Sequence, residues 1–386
     1  MGIDIRTART TIVDEVDEAV DELIRELELN TLKAQSVAIL YCHYDYVDSG
    51  IIEALHQRLG FDVVGMTSTS NGTEQNYDMY GLSVAVLTSD DVGFAAAMTE
   101  SLTTDTYKSA ITATYERARD RITKDPALCF TFLSYIEAIT GAEMLRVFDL
   151  ACKGAPCWGS SSSGVDLFFT HCYTIYNDRI VQDGFVMLLL DGDVKPQFII
   201  EAIPDELISE VRGVVTKSAD YHLAEIDGRP AVEFLNSFGL NATKDNLPAT
   251  SPLMVYYKRA VEPVALGVYT VFDDGSLLVA ANIEEGATLA IGSITTEGIL
   301  QTAKKCMERV RAVPNKQGVL ILPCCSRFFM LSPNMHAEQE LIREELDEKK
   351  APALIGYSGG EICPVQDESG NLVNRFHNYT ITACVL

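Results

Sequence analysis

Ala353-Leu354-Ile355-Gly356-Tyr357-Ser358-Gly359-Gly360-Glu361-Ile362-Cys363-Pro364 is the stretch from which the fold of this chain is read. A short apolar strand runs into three glycines within five residues, and a carboxylate follows directly, ahead of a second apolar pair. Glycines there let the backbone adopt positive φ or pass close to another group. A carboxylate set between a bendable backbone and an apolar strand needs a specific partner, because burying an unpaired charge is costly. A polar turn and a last strand over 376–386 complete the stretch. Related versions occur twice earlier: Val64-Gly65-Met66-Thr67-Ser68-Thr69-Ser70, and Trp158-Gly159-Ser160-Ser161-Ser162-Ser163-Gly164.

The same order of elements surrounds each version. The first has a strand over 36–41, a helix over 47–59, a strand over 61–64, the loop, and strands over 80–88 and 92–98. The second follows a helix over 106–122. It has a strand over 128–134, a helix over 141–152, the loop, and strands over 168–176, 180–190 and 197–203. The third begins with strands over 266–272 and 277–281, joined by the hairpin turn Asp273-Asp274-Gly275. Thr295 or Thr296 then caps a helix to 312, a strand follows over 318–322, and Ser332-Pro333 opens a helix to 350. Lys153-Gly154-Ala155-Pro156 is echoed by Lys349-Lys350-Ala351-Pro352. This pattern predicts an internally duplicated α+β fold, with mixed, largely antiparallel sheets and helices packed on their faces. It divides the chain into an acidic amphipathic helix within 1–34, a first domain over 35–205, a connecting segment over 206–250 and a second domain over 251–386.

With 386 residues and 47% hydrophobic content, the chain is long enough for more than one core. Its formal net charge of −25 opposes phosphate backbones and anionic membrane surfaces, so neither nucleic acid nor membrane is an expected partner. The longest apolar run, 185–190, is strand-sized, and the first residues lack a secretory apolar region. A soluble, cytoplasmic chain is expected. The ten cysteines are scattered through apolar segments and read as reduced core residues. Four residues separate Cys152 from Cys157, but no second pair accompanies them, so no metal is expected.

Gly356-Tyr357-Ser358-Gly359-Gly360 fits the Gly-x-Ser-x-Gly nucleophile pattern, with Asp367 and His377 downstream in hydrolase order. A nucleophile elbow needs a helix immediately afterwards, whereas Glu361-Ile362-Cys363-Pro364 is extended, so the match reads as coincidental. A hydrolase using Ser358 or a cysteine is kept as an alternative. No dinucleotide or P-loop glycine pattern occurs. The six histidines are isolated, although one axial histidine suffices for a haem. Arg327 lies between Cys324-Cys325 and Phe328-Phe329-Met330-Leu331, a setting in which a guanidinium wants a planar anion. That anion is either Glu361, in a buried pair, or a ligand carboxylate.

Cys324-Cys325-Ser326-Arg327, Gly359-Gly360-Glu361-Ile362-Cys363-Pro364-Val365 and Phe376-His377-Asn378-Tyr379-Thr380 together resemble the C-terminal half of FIST proteins. Val64-Gly65-Met66-Thr67 resembles the N-terminal Val-Gly-Cys-Thr loop of that family, with methionine at the cysteine position. Trp158-Gly159-Ser160 resembles its small-residue Gly-Gly loop, with serine at the second glycine. The resemblance implies a stand-alone sensory module that binds an amino-acid-like small molecule. It would signal through a separate histidine kinase, chemotaxis receptor or cyclic-nucleotide enzyme. A haem-based nitric-oxide sensor, as in some relatives, is the other implied reading. On the first, Thr67, Ser68, Ser160, Ser161, Ser358, Gly359 and Gly360 line a cleft beside Cys324. Arg327 meets a ligand carboxylate there, and Glu361 meets an ammonium or hydroxyl group.

Overall fold

A computed structural model describes residues 2–165, 169–346 and 351–386. The beginning of the strand expected from 168, the end of the helix expected to reach 350, and the Lys349-Lys350 half of the repeated link lie outside the described residues.

Three units with one topology account for most of the chain. The first comprises β1 (Asp4–Thr10), α1 (Val16–Leu27), β2 (Gln35–Cys42), α2 (Ile51–Leu59), β3 (Val63–Thr67), the hairpin β4 (Asn71–Thr73) and β5 (Tyr77–Asp78), and β6 (Leu82–Ser89). The second repeats it as β7 (Phe94–Met98), α3 (Tyr107–Arg119), β8 (Leu128–Leu133), α4 (Gly141–Ala151), β9 (Cys157–Ser161), β10 (Thr174–Tyr176), β11 (Arg179–Val181) and β12 (Phe185–Leu190). The third starts at β13 (Gln197–Glu201) and is interrupted by an inserted segment. That segment forms β14 (Gly213–Ala219), β15 (His222–Ile226), β16 (Arg229–Pro230), α5 (Ala231–Asn236), β17 (Leu253–Tyr256), β18 (Val264–Leu266), β19 (Val268–Val271), β20 (Leu277–Val279) and β21 (Thr288–Ile291). The unit resumes with α6 (Thr296–Ala312), β22 (Val319–Pro323), α7 (Cys325–Met330), α8 (Ala337–Glu345), β23 (Ala353–Gly356), β24 (Glu361–Gln366), β25 (Leu372–His377) and β26 (Ile381–Val385).

In each unit the two strands that lead to the small-residue loop are parallel: β2 with β3, β8 with β9, β22 with β23. The other pairings are antiparallel, as the expected mixed sheets require. The hairpins are exchanged in a cycle. That of the first unit adds to β23 of the third, that of the second to β3 of the first, and that of the third to β9 of the second. Each of three six-stranded sheets therefore holds strands of two units. Their inner faces share one core, to which the first unit gives Ile39 and Tyr41, the second Phe130, Phe132 and Trp158, and the third Leu320 and Leu354. The outer face of the first sheet is covered by α1 and α2, and that of the third by α6 and α8. Strands buried on both faces read as continuous apolar runs, which is why β8, β12 and β22 were legible as Leu-Cys-Phe-Thr-Phe-Leu, Phe-Val-Met-Leu-Leu-Leu and Val-Leu-Ile-Leu-Pro.

The inserted segment forms an eight-stranded sheet that packs against α3, α4 and the β24–β25 hairpin. Residues 206–250, between the two expected domains, supply β14, β15, β16 and α5 to it. The acidic helix α1 buries Ala19, Val20, Leu23 and Leu27 within the first unit. Two element readings are corrected. Ser332-Pro333 does not cap a helix, since α8 starts at Ala337. The strand expected over 376–386 breaks at 378–380, where Tyr379 has a φ of 61°.

Candidate functional site

The three small-residue loops converge at the centre of the molecule. Each begins with a serine amide bound to the last carbonyl of the neighbouring parallel strand. Ser68 N donates to Cys42 O at 2.9 Å, Ser162 N to Leu133 O at 2.6 Å, and Ser358 N to Pro323 O at 2.9 Å. Those serines are structural equivalents in the three units. From there the loops bond to one another. Tyr357 O accepts from Ser68 Oγ at 2.9 Å and from Ser163 Oγ at 2.7 Å. Thr69 Oγ1 meets Ser163 Oγ at 2.9 Å, Ser161 N donates to Gly360 O at 2.9 Å, and Gly359 N donates to Ser161 O at 2.8 Å.

The expectation that these loops line an open cleft is corrected by this geometry. Thr67, Ser68, Ser160, Ser161, Ser358 and Gly360 are buried, and only Gly359 of the expected set is partly exposed. Thr67 Oγ1 is spent on His171 O at 3.1 Å, and Ser160 Oγ turns into the inner core against Met66 Sδ at 3.1 Å. Cys324 is buried and its amide donates to Thr380 O at 2.9 Å. The loops form a closed hub in which they bond to one another, although the buried Ser162 Oγ has no hydrogen-bond partner among the described residues.

Arg327 and Glu361 do not pair. Arg327 is 1% exposed and binds Glu338 of α8, through Nε at 2.9 Å and Nη2 at 2.5 Å. Its remaining N–H groups donate to Tyr379 O at 3.2 Å, Ile299 O at 2.9 Å and Thr302 Oγ1 at 3.0 Å. The other Glu338 oxygen accepts from Tyr357 OH at 2.9 Å, which carries the pair into the hub. With its donors satisfied from inside the chain, the guanidinium is a strut between α6, α7 and α8. Sequence reasoning missed Glu338, because nothing separates it from Glu340, Glu344 and Glu345 in the same helical segment.

Among the described residues Glu361 has no cationic partner. Burial pushes its carboxyl well above the usual carboxylate range, Cys324 beside it adds to this, and hydrogen bonds from Ser358 and Thr380 pull the other way. Ser358 Oγ carries one hydrogen yet meets two acceptors, Pro323 O at 3.2 Å and Glu361 Oε1. A protonated Glu361 resolves this: it donates to Ser358 Oγ, and Ser358 donates on to Pro323 O. Thr380 N and Oγ1 donate to Oε2 at 3.2 and 2.6 Å. An acid whose folded pKa is raised contributes stability that is complete below the unfolded value, about 4.3, and is lost as pH rises through the folded one. Measured by urea denaturation, wild type is therefore expected to lose ground to Glu361→Gln as pH rises above the unfolded carboxyl value and through the raised folded one. A difference that stays flat with pH would show that Glu361 is ionised in the fold.

The hydrolase arrangement does not assemble around Ser358. His377 is buried, its Nε2 lies 3.0 Å from Cys363 O, and burial lowers its pKa to about 4. Asp367 closes an exposed turn, accepting from Ser369 N and Asn371 N.

The openings lie at the seam with the inserted sheet, around the β24–β25 hairpin. A groove of about 450 Å³ runs between β13 and Gln366, but its arginine, Arg309, is paired with Glu201 at 2.7 Å. A second cleft of about 200 Å³ is lined by Arg146 and Asp149 of α4, Tyr257, Asn282, and Asn374 and Arg375 of β25. Arg375 stacks on the Tyr257 ring at 4.5 Å, and its buried Nε has no hydrogen-bond partner among the described residues. Asp149 accepts from Asn374 Nδ2 at 2.6 Å, and burial raises its carboxyl pKa. These residues come from segments distant in the sequence, and no local motif announces them. None of the histidines lines either cleft, so the residues present do not fit a histidine-ligated haem there.

The sequence of the chain matches a class of sensory domains used in signal transduction. The chain is a member of the FIST family: the FIST N domain matches residues 36–229 and the FIST C domain residues 231–364. Cyanuric acid hydrolase from A. caulinodans is similar at 9% identity and a TM-score of 0.37, over 100% of this chain and 99% of that one. A second cyanuric acid hydrolase structure aligns at 10% identity and a TM-score of 0.29, over 76% and 100% of the two chains. Likenesses this distant bear on neither fold nor activity. No curated protein matches. Among the described residues no helix is long and apolar enough to cross a membrane.

Proposed function

We propose that this chain is a sensory module that takes an amino-acid-like zwitterion in the cleft between α4, β25 and the inserted sheet. It then signals through a separate partner of the histidine kinase, chemotaxis receptor or cyclic-nucleotide enzyme type. The observation that carries the reading is Arg375, a half-buried guanidinium over the Tyr257 ring with an Nε that has no partner among the described residues, in the same cleft as Asp149. Arg375 and Arg146 suit a ligand carboxylate, Asp149 its ammonium group, and Leu145, Tyr257 and Phe376 a small side chain. The cleft joins α4, in the FIST N match, to Tyr257 and Asn282, in the FIST C match. A ligand there alters the seam between the halves, and the buried hub of Thr69, Ser163 and Tyr357 transmits the change.

Isothermal titration with a panel of amino acids tests this. The best ligand is expected to lose at least about tenfold in affinity for Arg375→Ala, which corresponds to about 1.4 kcal/mol. It should fail to bind once its amine is acetylated. Ammonium recognition needs ionised Asp149, whose pKa burial raises, so affinity should fall as pH drops through that value and the fall should disappear in Asp149→Asn. Equal binding by wild type and Arg375→Ala would overturn the assignment of the cleft.

A further inference from the structure

We propose that Cys129, Cys152 and Cys157 form a binding site for a thiophilic d10 metal ion, Zn2+ or Cu+. The three thiols come from separate elements and meet in one buried place, with all Sγ atoms within 4.8 Å of one another. Cys129 in β8 and Cys157 in β9 are register partners across a parallel pair, so their side chains leave the sheet on the same face. Cys152, the residue that ends α4, descends onto that face, and its Sγ lies 3.9 Å from that of Cys157. Metal–sulfur bonds of about 2.3 Å place sulfurs about 3.8 Å apart in a tetrahedron and about 4.0 Å apart in a trigonal plane. The Cys152–Cys157 separation suits either geometry, and the distances to Cys129 Sγ are within 4.8 Å. Soft thiolates without an imidazole or a fourth cysteine select Cu+ in a trigonal site, or Zn2+ with water completing a tetrahedron.

The surroundings are built as an outer shell. Asn374 accepts from Cys157 N at 2.8 Å, and its Nδ2 donates to Ala155 O at 2.9 Å and to Asp149 Oδ1 at 2.6 Å. One side chain thus ties the Cys157 end of the turn to Asp149 of α4. Lys153 and Gly154, above the cluster, are exposed, and Cys152 is itself 5% exposed, which gives an ion a short path inward. The sequence hid the site because its third thiol lies 23 positions before Cys152 and is brought in only by strand register.

The test titrates the reduced full-length chain with Zn2+ against a chromophoric chelator and, separately, with Cu+ against bicinchoninate under anaerobic conditions. One ion per chain is expected for at least one of the two, and native mass spectrometry should show it retained. Cys152→Ser should weaken binding at least about 100-fold, whereas Cys306→Ser, a buried thiol of α6, should leave it unchanged. Should Cys152→Ser fold poorly, alkylation mapping of wild type answers the same question: the ion must protect Cys129, Cys152 and Cys157 selectively. The proposal is overturned if neither ion binds stoichiometrically, if the three thiols are alkylated equally with and without metal, or if Cys152→Ser binds as wild type does. A Cys152–Cys157 disulfide that forms in preference to ion binding also overturns it.

Discussion

Arg327→Leu is expected to lower the stability of the fold by about 3–5 kcal/mol, the usual consequence of leaving one partner of a buried ion pair uncompensated. Glu338, at 0% exposure, would keep only the Tyr357 hydroxyl as a donor, while Ile299 O, Thr302 and Tyr379 O lose theirs. Unfolding followed in urea should show a much lower midpoint at an unchanged slope, because the surface exposed on unfolding is the same. The double variant Arg327→Met with Glu338→Leu separates the charge from the packing. Replacing a whole buried pair by apolar groups of similar volume is often nearly neutral, so the double variant should regain more than half of the loss. A ligand role for Arg327 predicts the opposite pattern: stability little changed and amino-acid binding abolished. The two outcomes are distinguished by measuring both quantities on the same preparations.

Sequence showed the repeated order of elements because the buried parallel strands are continuous apolar runs and the loops between them are small and polar. It did not show that the units exchange hairpins. Whether Asn71–Thr73 pairs with its own sheet or with β23 of the third unit is decided by tertiary packing, and nothing in Asn-Gly-Thr records that choice. Gly359, Gly360 and Glu361 were legible as special, since glycine beside a buried acid is unusual in a strand. Their function was not legible. A loop of serines and glycines reads the same whether its donors face a ligand or face another such loop. Arg327 shows the same limit, because its apolar neighbours demand an anion without naming which one. The cleft at Arg375 and the thiols at Cys129 were invisible for a common reason: their partners come together only through strand register across long sequence separations.

The exchange of hairpins also explains why the hub is closed. Glu361 begins the strand that crosses into the second unit and opposes Ser160 in register. Asn71 begins the strand that crosses into the third and opposes Gly356. Each loop is thus followed by a strand that leaves its own unit, and its polar groups are delivered to a neighbour's loop instead of to solvent. Movement at one seam must then be felt at the others, since the three loops share acceptors such as Tyr357 O.

Gly159→Ala is expected to be the most damaging single-methyl change in the N-terminal half. A Cβ built there would lie 1.9 Å from Thr131 O in the paired parallel strand, and the residue has a φ of +155°, which L side chains rarely adopt. The contact is with backbone, so no rotamer change relieves it, and β9 must separate from β8. Gly65 occupies the equivalent place in the first unit, where a Cβ would lie 2.0 Å from Leu40 O, without the unusual φ. Overpacking of this kind costs about 1–3 kcal/mol and a forced backbone conformation about 1–3 kcal/mol more, so Gly159→Ala should exceed Gly65→Ala by roughly the second amount. Thermal and urea unfolding of the two variants decide the order. Since β9 leads into Ser160–Ser163, hydrogen exchange in Gly159→Ala should rise first at Ser161 and Gly359, whose amides cross between loops. Exchange that rises equally across all three sheets would mean that the hub does not depend on the close approach of β8 and β9.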